Sequence, residues 1–414
     1  MSLIAPPDLF AFSHLRWGPA AERAQQLMRQ LTGAWRVCFV EEPVWTAGPA
    51  RLETRWLGPQ LTLLVPHTPL PTTGFDAQQL AAVQPLLTAW LARERVIDPV
   101  AWLTTPMALP WALAVQPACI VYDCMDDLAG RAQAPASMTE HERALLAEAS
   151  IVFAGGPSLY QALRHQHPNV HCVPSAVDAR HLSPSRLQPG AVHEQIANAL
   201  QSALPRPRLG CFDAVDERLD LDLLVQLADT RPSWQIVMAG PVAPSVAAAL
   251  PERPNLHWLG AQPRERLPYL LAGWDLCLMP YALDASTRLL SPDTTLQYMA
   301  GEKPVVSTAL ADVIMLHGDA VAVAHSARSF IDACDRLLAE GAAARLTRQC
   351  EMRNTVSTTS WQRTGASVHH LVSAAHQAAL RGRELRRMRA AAPALAAGLL
   401  LPQAARLATR IQPR

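Results

Sequence analysis

Short apolar runs alternate with segments of helical period along the first half of the chain. The runs "RVCFVEE" (36–42), "LTLLVPH" (61–67), "VAWLTTP" (100–106), "CIVYDC" (119–124), "SIVFAG" (150–155) and "VHCVPS" (170–175) read as strands. Several are apolar on both faces, which suits a parallel sheet covered by helices on each side. Helical patterns fill the gaps at 22–32, 77–92, 139–148 and 158–166. The rhythm pauses in "SPSRLQPGAVHEQIANALQSALPRPR" (183–208), which carries Pro and Gly near its ends. It restarts with "RLGCFD" (208–213), "QIVMAG" (235–240), "LHWLG" (256–260), "LCLMP" (276–280), "KPVVST" (303–308) and "VAVAH" (321–325). The expected fold class is α/β, two doubly wound Rossmann-like domains facing a cleft. The first spans 1–182, a linker 183–207, and the second 208–350.

Composition agrees. A chain of 414 residues is long for one core, and half of its residues are hydrophobic. With 36 basic and 35 acidic residues, nothing in the overall charge points to nucleic acid. The end differs: residues 381–414 hold eight Arg and one Glu, a net of +7. Eight scattered Cys without a CxxC pair suit a reducing compartment. The first residues, "MSLIAPPDLFAFSHLRW", lack a basic stretch and a long apolar core, so no signal peptide is read there. "ALAAGLLL" (394–401) is shorter than the roughly 20 residues a bilayer requires. The expected location is cytoplasmic.

In open α/β sheets ligands sit beyond the carboxyl ends of the strands. Asp123, Asp126 and Asp127 follow "CIVY"; Gly155 and Gly156 follow "SIVFA"; Asp213, Asp216 and Arg218 follow "RLGCF"; Gly240 follows "QIVMA". Between them and the motifs "SHLRW", "VYDCMDDL", "GGPSLYQA", "HPNVHCVPSAVD", "DERLDLDLL", "LHWLGAQPRERLPYLLAGWDLCLMPY", "STRLLSP" and "QYMAGEKPVVST", the chain resembles a GT-B glycosyltransferase of the retaining group that includes family four, over roughly 10–378.

The resemblance implies an acceptor-binding first domain and a donor-binding second domain. It implies transfer of a sugar from a UDP- or GDP-linked donor to a glycan or lipid-linked acceptor in polysaccharide synthesis, with no metal and no cofactor, the nucleotide-sugar being a substrate. The segment 351–380 resembles the family's crossing helix, with Trp361 opening a helix that returns to the first domain. Donor-binding candidates are Asp213, Arg218, Gly240, Arg288, Ser291, Thr294, Thr295 and Gln297. Arg218 and Arg288 would face the diphosphate, because a guanidinium suits bidentate phosphate recognition. The plainer reading of Arg218 is a salt bridge with Glu217 or Asp220.

The donor helix departs from the family pattern "SPTKTLEYMAAGKPVV". "SPDTTLQYMAGEKPVV" carries Asp293 for the Thr, Thr294 for the Lys and Gln297 for the Glu. Gln297 retains one acceptor oxygen for a ribose hydroxyl. Asp213 likewise stands where the family tends to have Gly. Locally, "TTLQ" fits a capping box, with Thr294 as N-cap and Gln297 reaching back.

Catalytic candidates are Asp123, Asp126 and Asp127 with Arg218; His14 and Arg16 are the acceptor-side candidates. Each has a structural alternative as a cap or packing group. "RHQHPNVHC" is not read as a metal site, since His171 and Cys172 would point to opposite faces of one strand. The basic tail 381–414 suggests contact with the inner face of an anionic membrane, against a solvated terminal helix as the alternative. The competing functional reading is a non-catalytic GT-B protein that partners another glycosyltransferase. A GT-B-like epimerase is a third.

Overall fold

The computed structural model describes residues 6–18, 22–130 and 134–407, with side chains up to residue 388 apart from that of Glu22. Two sheets follow one another along the chain. Among the described residues, nine strands make the first. Its parallel core runs, in spatial order, Leu61–Thr68, Arg36–Glu41, Asp8–Ser13, Val100–Leu103, Cys119–Cys124, Ile151–Ala154 and Val170–Cys172. The second sheet runs Leu256–Trp258, Gln235–Ala239, Arg208–Phe212, Leu276–Met279, Val305–Thr308 and Ala322–Ala324, all parallel. In both, the first strand of the domain lies between the second and the fourth, the doubly wound arrangement with its switch point beside that first strand.

The strands form where the apolar runs predict them because both faces are covered. Every residue of Asp8–Ser13, Cys119–Cys124 and Gln235–Ala239 is buried. Three strands escape the runs read from the sequence: Asp8–Ser13, fully buried but in none of those runs, and two at the edge. Val44–Trp45 and the antiparallel Arg51–Gly58 lie at the edge, where "RLETRWLG" is largely open to solvent and so carries no buried periodicity.

The segment expected as a linker is not extended. It contains the helix Val192–Gln201, whose Ala197 is fully buried in the second domain's core. Beyond the second sheet, the helix Ala342–Thr358 contributes Met352 and Val356 to the same core. The chain then breaks at Thr359 and Ser360 and enters the helix Trp361–Leu407. That helix lays Trp361, Val368 and Val372 into the first domain, where the Trp35 indole N–H donates to His369 Nδ1 at 3.1 Å. It continues without interruption through the segment expected as a separate tail, up to Leu407; residues 408–414 lie outside the described ones. No helix among the described residues is long and apolar enough to cross a membrane.

The two domains meet along a tight seam. The helix Pro157–Leu163 of the first domain begins at Gly156, which has no side chain to cap it. Asp312, on the helix Ala311–His317 of the second domain, accepts from the Ser158 backbone N–H at 2.9 Å and so supplies the cap. Leu289, from a loop of the second domain, packs into the first domain's hydrophobic core.

A methyl group at Gly156 would collide with the Asp312 carboxylate and would lie 2.6 Å from Ser291 Cβ. Gly156→Ala is therefore expected to part the seam, raising the radius of gyration measured by solution X-ray scattering; an unchanged radius together with an unchanged melting temperature would contradict this. Burial holds the His317 imidazole down to about 4, below its ordinary 6.5, although a backbone hydrogen bond at Leu316 opposes the shift. The unfolded chain takes up that proton near pH 6.5, while the folded chain does not until about pH 4. Stability present above pH 6.5 should thus fall between 6.5 and 4, and His317→Gln should flatten that slope in urea unfolding measured at stepped pH.

Candidate active site

The switch points of the two sheets face one another across the seam. On the second domain, the loop after Phe212 begins with Asp213, whose Oδ2 accepts from the Tyr281 hydroxyl just past the neighbouring strand. Gly240 permits this loop to pack, since a Cβ there would run into the Asp213 carbonyl group, with the carbonyl carbon at 2.6 Å. Gly240 thus serves backbone packing. Burial pushes the Asp213 carboxyl up from its ordinary range, against the pull of Tyr281 and Arg218.

Arg218 binds Asp216 through a bidentate fork, with Nε at 3.0 Å from Oδ1 and Nη2 at 2.6 Å from Oδ2. Its partner is therefore neither Glu217 nor Asp220; Asp220 instead accepts from the Leu223 N–H as the cap of Leu221–Thr230. Burial works against the Arg218 charge, but the Asp216 hydrogen bonds and the nearby Asp213 outweigh it, and the guanidinium is held firmly protonated. The Nη1 atom lies 3.7 Å from Asp126 Oδ2, which belongs to the first domain.

These residues border a cavity of about 210 Å³, lined among others by Arg23 and Asp126 from the first domain and by Asp213, Arg218, Arg264, Ser291 and Asp293 from the second. A larger cavity, about 480 Å³, opens beside Arg206 and Lys303 at the amino ends of the second sheet's strands. There Arg206 pairs with Asp275 and Arg348 with Glu340, and doubly wound sheets bind at the other end.

The helix Thr294–Ala300 corrects one expectation. Asp293, not Thr294, is its N-cap, with φ −72° and ψ −20° and no side-chain cap bond. Because the Asp293 backbone is already helical, Thr294 is the first helical residue and Gln297 falls one position too far along for the capping box. The Gln297 side-chain amide donates to Asp293 Oδ2 at 3.3 Å instead. Thr294 Oγ1 and Gln297 Oε1 are buried without a partner. Thr295 is satisfied internally, its hydroxyl donating to the Pro292 carbonyl at 3.1 Å.

Other candidates lie elsewhere. Arg288 is exposed and does not line the cavity. Asp123 is fully buried and pairs with Arg23 Nη2 at 3.0 Å. Asp127 accepts from the Gly130 N–H at 2.9 Å and serves its own loop. Arg16 is tied to Glu41 at 3.0 Å and to the carbonyls of Glu42 and Pro43; His14 Nδ1 lies 3.4 Å from the Thr104 hydroxyl. Neither lines the cavity, although Leu15 between them does. Arg23, Arg264, Tyr281 and Asp312 are the residues that motif reading passes over. Tyr281 had a usable signal, since it lies two residues past a strand end.

Solved structures share this architecture. Sucrose-phosphate synthase from Thermosynechococcus elongatus matches 93% of this chain and 100% of its own, with a TM-score of 0.69 at 17% identity. The fold is GT-B. HepE from Anabaena, solved in complex with UDP and glucose, matches 89% of this chain and 100% of its own, with a TM-score of 0.65 at 13% identity. Residues 215–340 match the family model of glycosyl transferases group 1. That span holds Arg218, Arg264, Tyr281 and the Thr294–Ala300 helix, so the second GT-B domain carries the recognisable family sequence. TuaH of Bacillus subtilis (strain 168), a candidate teichuronic acid biosynthesis glycosyltransferase, is 27% identical over 105 residues. That alignment spans 25% of this chain and 26% of TuaH, about a quarter of each.

Proposed function

We propose that the protein is a glycosyltransferase that moves a sugar from a UDP- or GDP-linked donor to a glycan or lipid-linked acceptor in polysaccharide synthesis, with retention and without a metal. The observation that carries this reading is the N-terminal end of Thr294–Ala300. Gln297 Oε1 and Thr294 Oγ1 lie there buried and unpartnered, beside a cavity edged by Arg218 and Arg264. A ribose hydroxyl can donate to Gln297 Oε1. The arginines offset the charge that builds on the departing diphosphate. Asp126, 3.7 Å from Arg218 across the seam, is the first domain's carboxylate at the point where an acceptor hydroxyl would approach. The cocrystallised UDP and glucose of HepE and the assignment of TuaH support this choice of substrate class.

A second reading, a non-catalytic partner of another glycosyltransferase, draws on Asp213 and Asp293. A carboxylate ~6 Å from a phosphate at an effective dielectric of ~20 costs on the order of 3 kcal/mol before screening. Calorimetric titration with UDP, GDP and their sugars separates the readings, binding in the millimolar range or tighter being expected. Asp293→Asn should tighten UDP binding roughly tenfold. If the native chain binds none of these ligands while Thr294→Lys with Gln297→Glu gains UDP binding, the second reading stands.

The exposed Arg381, Arg386 and Arg387, with Leu385 and Met388, support peripheral contact of the last helix with an anionic membrane. Truncation after residue 380 is then expected to abolish sedimentation with phosphatidylglycerol vesicles; equal sedimentation of the truncated and full chains would rule the contact out.

A further inference from the structure

Arg23 is 8% exposed and lines the cleft cavity from the first domain. One Nη2 contact, at 3.0 Å, ties it to the fully buried Asp123. Its Nε and Nη1 atoms are buried and meet no acceptor among the described residues. Arg218, facing it from the second domain, has its fork filled by Asp216. A guanidinium that served only to neutralise Asp123 would do so best through two parallel hydrogen bonds. The single contact instead leaves Arg23 Nε and Nη1, like Asp123 Oδ2, buried and unused, and folds rarely leave the donors of a desolvated cation without an acceptor.

We propose that Arg23, fixed in place by Asp123, is an anion contact on the first domain's wall of the cleft and receives a phosphate or carboxylate group of the substrates. The planar fork suits either group. Such an anion would be approached from both walls, by Arg23 on one and Arg218 on the other. The naming of the anion as part of a substrate rests on the glycosyltransferase reading; the anion contact itself does not. Two sources share this chemistry: the diphosphate of the donor, and an acidic group on the acceptor.

Calorimetry on the full chain distinguishes them. The probes are UDP, GDP and pyrophosphate on the native protein, then inorganic phosphate and glucuronate on the protein saturated with UDP. The main variant is Arg23→Gln with Asp123→Asn, which removes the pair without stranding a buried carboxylate. Arg23→Lys keeps the charge and loses the fork, and it decides the matter if the double variant does not fold. A tenfold or greater loss of UDP and pyrophosphate affinity in the variant assigns the contact to the donor. Unchanged UDP affinity with lost phosphate or glucuronate binding assigns it to the acceptor. Native and variant proteins with equal affinities for every probe, or a native protein that binds none of them, overturn the proposal. Binding of pyrophosphate that depends on Arg23, without binding of UDP or GDP, keeps the anion contact and rejects the glycosyltransferase reading. UDP binding without any dependence on Arg23 in any arm does the reverse.

Discussion

A helix of the first domain takes its N-terminal cap from the second. Pro157–Leu163 starts at a glycine, so its first N–H groups have no local side chain to bind, and the Asp312 carboxylate meets that of Ser158 from across the seam. A capping interaction of this kind contributes about 1 kcal/mol. Its structural weight is larger than its energy. With Leu289 it is one of the contacts that hold the domains where Asp126 lies 3.7 Å from Arg218 and Arg23 shares a cavity with Asp213. The glycine is required for space: Ser291 and Asp312 occupy the room a side chain would need. One short stretch of backbone thus meets the second domain at the seam where a site built from both halves of the chain lies.

Charge inside the cleft is closely balanced. Arg23, Arg218 and Arg264 line it together with Asp126, Asp213 and Asp293. Arg218 is held by Asp216, Arg23 by Asp123, and Asp213 by Tyr281. An entering anion must compete with these carboxylates rather than fall into a positive well. The buried oxygen atoms of Thr294 and Gln297 offer hydroxyl recognition that does not depend on charge. Affinity in such a site rests on geometry and on displacement of internal partners more than on long-range attraction.

Much of this was legible in the residues. Apolar runs located the strands of the second sheet to within about two residues, since burial on both faces leaves a plain signal. The edge strand Arg51–Gly58 was not legible, because exposed strands need no apolar face. Reading the positions after strand ends singled out Asp126, Asp213 and Arg218, which line the cavity between the domains. Arg288 shows the limit of motif reading, since its loop turns the side chain to solvent. The capping box failed on a single backbone torsion pair at Asp293, which composition does not encode. Arg23 was invisible for another reason: its partner Asp123 lies 100 residues away, and only tertiary contact unites them.

The helix Trp361–Leu407 makes the first domain discontinuous in sequence. Trp361, Val368 and Val372 complete a core whose other members lie before residue 177. A ribosome releases the N-terminal sheet early, but the apolar face around Leu27, Leu31 and Trp35 stays uncovered until the last helix emerges. The second domain, whose core members run from Val177 to Val356 without interruption by the first domain, can close its core first. The domain made first is finished last, and its exposed flank is a surface that a chaperone would meet during synthesis.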